Sequence, residues 1–172
     1  MAWMSQQVRG SGVVEVTMSM DVQRDSIVMA SATEVDASGT PFIGAAPVLV
    51  QSVVPNDGFK VRVRAWAGWP QPINVRITAW NLSSDPRAYD QYFPPIEVHK
   101  GHFVVRVNVP QATPGSKFIA SIAEHYGAPH MGAALLQVHS VAPGFGEVRV
   151  AGSVDWAEPL PFRLTLVGER RP

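Results

Sequence analysis

An all-β fold, a single jelly-roll or β-barrel sandwich, is what this sequence predicts, on three observations. Apolar residues recur at every second position along most of the chain, the period of a strand whose two faces meet different surroundings. Valine, whose branched Cβ suits a pleated surface, occurs 25 times in the 172 residues. Turn clusters with a defined backbone chemistry punctuate the chain: "PNDG" at Pro55–Gly58, "ATPGS" at Ala112–Ser116 and "APGFG" at Ala142–Gly146. No long segment carries the 3.6-residue period of a helix.

In chain order, "MAWMSQQVRGSG" combines three large apolar side chains with a polar, glycine-containing run that cannot bury a face alone, so residues 1–12 read as a flexible N-terminal arm. Residues 13–172 then read as one β-barrel domain. Its predicted strands are Val13–Met20, Ile27–Val35, Ala46–Val54, Phe59–Ala67, Ile73–Trp80, Ile96–His99, His102–Val109, Lys117–His125, Ala133–His139, Glu147–Val154 and Phe162–Gly168. Most alternate, and most are bounded on at least one side by Gly, Pro, Asn or Asp. The connection Asn81–Val98 is long, with three prolines, and reads as a specialised surface loop. No internal repeat and no low-complexity linker is evident.

Composition narrows the function. The 14 basic and 14 acidic residues cancel, so no global field steers the chain toward nucleic acid. Without cysteine there is no disulfide framework, thiolate metal site or cysteine nucleophile. The N-terminus lacks the apolar core of a secretory signal, which predicts a cytoplasmic start. The longest apolar run, "IGAAPVLV", is 8 residues and contains Pro47, against the roughly 20 that span a bilayer. Arginine outnumbers lysine 11 to 3, a bias found in GC-rich and heat-adapted genomes.

The stretch "FKVRVRAWAGWPQPINVRITAW", Phe59 to Trp80, carries the clearest pattern. Phe59, Val61, Val63 and Ala65 share one face of a strand, with Lys60, Arg62, Arg64 and Trp66 on the other. Across the "GWPQP" turn, Ile73, Val75, Ile77 and Ala79 oppose Asn74, Arg76, Thr78 and Trp80. The expectation is one hairpin whose outer face displays Lys60, Arg62, Arg64, Trp66, Arg76 and Trp80. That face suits a subunit interface, in which arginine stems cover apolar area and their heads meet acids. It also suits a sugar platform, with Trp66 and Trp80 stacking on pyranose rings. A single-strand nucleic-acid platform would need the net basic charge this chain lacks.

Catalytic and metal signatures are missing. The chain has no G-x-S-x-G, no H-E-x-x-H and no phosphate-binding glycine loop, so it does not read as an enzyme. His99 and His102 flank one turn and His125 and His130 another, with no third ligand at zinc spacing. Asp21 with Asp25, and Asp85 with Asp90, read as charged turns. No metal, cofactor or catalytic residue is expected.

Taken over its whole length, including "GFKVRVRAWAGW", "GHFVVRVNVP" and "PFRLTLVGERRP", the chain resembles the small single-β-barrel major capsid proteins of tailless icosahedral phages with an internal membrane, those infecting Thermus in particular. The resemblance implies a virion structural protein, assembled in the host cytoplasm. In that family two single-barrel proteins build the shell, the smaller one dimerises, and the barrels stand upright above the viral membrane. The expected partners are therefore a second copy and other coat proteins, with no nucleic acid. Trp3 and Met4 of the arm join the Lys60–Trp80 face as expected interface residues, with "VVEVTMSM" adding as a strand to a partner's sheet. The alternative is a carbohydrate-binding β-sandwich module.

Overall fold

The computed structural model describes residues 2–83, 89–92 and 94–169, and these contain strands and no helix. The chain forms two compact units, Met1–Ser84 and Asp85–Pro172, where alternation alone suggests one domain over residues 13–172.

The first unit holds β1 (Ala2–Gly10), β2 (Gly12–Ser19), β3 (Val28–Glu34), β4 (Val48–Asn56), β5 (Lys60–Ala67) and β6 (Ile73–Asn81). They form two antiparallel sheets, ordered β1-β6-β3 and β2-β5-β4. Val14, Val16, Val61, Val63 and Ala65 from one sheet and Val75, Ile77 and Ala79 from the other share a single buried core. Inward valines against outward polar residues produce this two-layer sandwich, because each sheet has one face to hide. Among the described residues the sheets keep free edges at β1, β3, β2 and β4 and do not close into a barrel.

Two expectations change here. Residues 2–10 of the expected flexible arm are strand β1, paired along its length with β6 from Ala2 opposite Asn81 to Gly10 opposite Ile73. Main-chain hydrogen bonding needs no alternation, so the polar "SQQ" run can satisfy β6's edge. The expected β5–β6 hairpin does not form either. β5 pairs with β2 and β4, β6 with β1 and β3, and the "GWPQP" segment carries the chain from one sheet to the other.

The second unit holds β7 (Tyr89–Tyr92), β8 (Glu97–His99), β9 (Gly101–Asn108), β10 (Phe118–His125), β11 (Pro129–His130), β12 (Leu135–Pro143), β13 (Glu147–Asp155) and β14 (Leu160–Glu169). One sheet is ordered β12-β13-β9. The other is ordered β11-β10-β14-β7, with β8 also on β14. Phe103, Val105, Leu136, Val148 and Val150 meet Ile122, Phe162, Leu164 and Leu166 in its core.

The second unit repeats the first. β8, β9, β10, β12, β13 and β14 take the places of β1 to β6, giving β8-β14-β10 for β1-β6-β3 and β9-β13-β12 for β2-β5-β4. In both, the chain crosses between sheets in the jelly-roll manner, with equivalent hairpins at β4–β5 and β12–β13; the second unit adds a short β10–β11 hairpin. Local devices repeat too. Gly12 and Gly101 open β2 and β9 at φ 69 and 71. The Gln23 amide donates to Ser26 Oγ at 2.9 Å, and the Thr113 amide to Ser116 Oγ at 3.0 Å. A β-bulge breaks the register at Val50/Ser52 in β4 and at Val138/Ser140 in β12. Laid side by side on this correspondence, the sequences agree as "ASATE" with "ASIAE", "GAA" with "GAA", "VQSVVP" with "VHSVAP", "KVRV" with "EVRV", and "WPQPINVRIT" with "WAEPLPFRLT". An internal repeat is therefore present, contrary to the reading of the sequence alone.

Candidate functional site: two outer sheet faces

The expected interface residues lie on two different sheets of the first unit. On β2-β5-β4, Glu15 of β2 stands opposite Arg64 of β5. Its carboxylate accepts from Arg64 Nε at 2.7 Å and pairs with Arg62 Nη2 at 3.5 Å. Arg64 is buried, so this cross-strand cluster is partly shielded and holds the sheet's own strands together. The two guanidinium heads thus meet an acid of their own sheet. Lys60 is exposed, opposite Ser19 and Asn56.

Trp66 belongs to the same face. It stands between Val13 of β2 and Leu49 of β4, and its ring lies over Gly68, where a Cβ would collide with it. Val13 and Leu49 are 48% and 43% exposed. The result is an apolar row across three strands, its two ends open to solvent and Trp66 half-buried between them.

Arg76 and Trp80 lie on the outer face of β1-β6-β3. Trp80 is flanked by Trp3 on β1 and Met29 on β3; Trp3 is 62% exposed and Met29 is buried. Arg76 Nη2 donates to the Gly39 carbonyl. That carbonyl is presented by a tight loop in which Asp36 Oδ1 accepts from the Ser38 and Thr40 amides, both at 2.8 Å, and from Ser38 Oγ at 2.6 Å. These bonds favour the ionised carboxylate and hold Asp36 below the usual aspartate range. Met4 has the parity of core-facing Ala79 yet is 41% exposed, because β1's inward side is covered only toward Val8. Trp66 and Trp80 therefore cannot stack on one sugar as members of one face.

In the second unit the positions of Val13, Leu49 and Trp66 are taken by His102, Gln137 and Ser153, again one row across three strands. The bulge residue His139 joins them, its Nε2 3.0 Å from Ser153 Oγ and its ring 5.7 Å from that of His102, edge to face. Spacing could not show this pair, since the two histidines meet only through strand pairing. His99 instead sits beside Glu97, 3.3 Å away, and against the rings of Phe103 and Phe162. His130 stacks edge to face on Tyr126.

One further residue repeats with its surroundings. Glu124 of β10 is buried, and its Oε1 accepts from the Ala134 amide at 3.1 Å; Gly132 lies so close under the carboxylate that a Cβ there would collide with it. Glu34 of β3 holds the equivalent place over Gly44. The repeated "GAA" is thus a backbone cradle for a repeated carboxylate.

Among the described residues no group of three or more His, Asp or Glu is arranged to hold a metal ion. Asp21 and Asp25 do not form such a group, and Asp85 and the side chain of Asp90 lie outside the described residues. No family model, curated protein or solved structure matches the chain, so its geometry and its internal repeat are what a functional reading can stand on.

Proposed function

We propose that this chain is a structural coat subunit, one that associates with copies of itself and with other coat proteins to build an icosahedral virion shell over an internal membrane. The observation that carries the reading is the open apolar row Val13–Trp66–Leu49. The second unit builds the same sheet with His102, Ser153 and Gln137 at those positions, so the fold itself does not require exposed apolar groups there. A contiguous apolar patch that the architecture does not demand is best accounted for by burial against another protein. Full burial of a Val or Leu is worth about 1.5–3 kcal/mol, and stable interfaces cover roughly 800 Å² per partner, so the row would be the centre of a larger contact. Exposed Trp3 and Met4, on the open edge at β1, offer a second such area.

Charge supports the same reading. A net charge of zero removes long-range repulsion between copies. The carbohydrate alternative loses its shared platform with Trp66 and Trp80 on separate sheets. Mass spectrometry of purified particles tests the proposal directly: the chain should be recovered in stoichiometric amount from the shell fraction. Absence from every particle fraction would rule the proposal out.

A further inference from the structure

We propose that His102 and His139 form a binding site for a borderline transition-metal cation of the zinc, nickel or copper(II) class on the outer face of the β12-β13-β9 sheet. Three observations carry it. The two imidazoles face each other across β13 with ring centroids 5.7 Å apart, close enough that small side-chain rotations bring one nitrogen of each to the roughly 2.0–2.1 Å bonding distance of a shared ion. His139 occupies the bulge of β12, between Val138 and Ser140, and a bulge re-aims a side chain that a regular strand would direct elsewhere. The internal repeat supplies the third. The first unit has Val13 where the second has His102, and Gln51 where it has His139, on the same strands with the same bulge. The fold therefore does not need histidine at either place, and Gln51 is buried where His139 is not.

Neutral imidazole suits zinc, copper and nickel and is a poor ligand for magnesium or calcium, which sets the class of cation. Ser153 Oγ, 3.0 Å from His139 Nε2, holds the ring in place and must exchange for the metal or serve as its outer partner. Two imidazoles leave the remaining coordination positions to water, so the site would be open rather than a closed structural centre.

The test uses the full chain titrated with nickel(II) chloride by calorimetry, with paramagnetic broadening of the imidazole resonances as a second readout. The variants exchange in the first unit's own residues, His102→Val and His139→Gln, which that unit shows to be compatible with the fold; circular dichroism verifies each. The expected result is one ion per chain, broadening confined to His102 and His139, and a loss of at least about tenfold in affinity in each variant. His125→Ala should bind as the parent does. Equal broadening of all five imidazoles, unchanged affinity in either variant, or no binding by the parent chain at millimolar nickel would overturn the proposal.

Discussion

Single residues already show which features are structural and which are spare. Glu124 is buried with its Oε1 on the Ala134 amide, so Glu124→Ala should leave that amide without its acceptor and cost about 1–3 kcal/mol, read as a lower urea midpoint. Asp36 and Asp57 each add a small pH-dependent contribution to stability. Asp57 is held below the usual aspartate range chiefly by the hydrogen bond from Arg24, whose Nε lies 2.7 Å away. Both carboxyls are lowered on folding, so their contribution is fully present above the unfolded value of about 3.9 and is lost as pH falls through the lower folded values. Urea midpoints measured between pH 6 and pH 2 should fall on the acid side, and the double variant Asp36→Asn with Asp57→Asn should flatten that fall. Both side chains are exposed, so the effect is modest and shrinks in high salt.

At the scale of elements, the alternation of Val14, Val16 and Met18, or of Phe103, Val105 and Val107, made those strands legible, because one buried face imposes a two-residue period. β1 was not legible, since "SQQ" has no alternation and its pairing with β6 is a main-chain matter. Parity also could not reveal that β5 and β6 belong to different sheets: Arg62 and Arg76 both point outward, from opposite layers. The repeat was hidden because its matching blocks are separated by loops of unequal length and because Pro94 and Pro95 precede β8, where β1 runs unbroken. Gly12 and Gly101 give this equivalence a test. Both need a positive φ, so Gly12→Ala and Gly101→Ala should each destabilise by about 1 kcal/mol or more, with hydrogen-exchange protection falling first in β2 in one case and in β9 in the other.

For the whole molecule, the repeat makes each unit a control for the other. What both keep, such as the glutamate over its "GAA" cradle, belongs to the fold; what only one carries is free to serve function. Unit one alone has the apolar row, unit two alone the facing histidines. The proposed contact between subunits is the apolar row, and sedimentation velocity across micromolar concentrations reads it out. The parent chain should sediment as a dimer or larger, and the variant Leu49→Gln with Trp66→Ser, which installs the second unit's own residues, should shift to monomer while keeping its β-sheet circular dichroism. A parent chain that is monomeric throughout, or a variant that associates as the parent does, would contradict it.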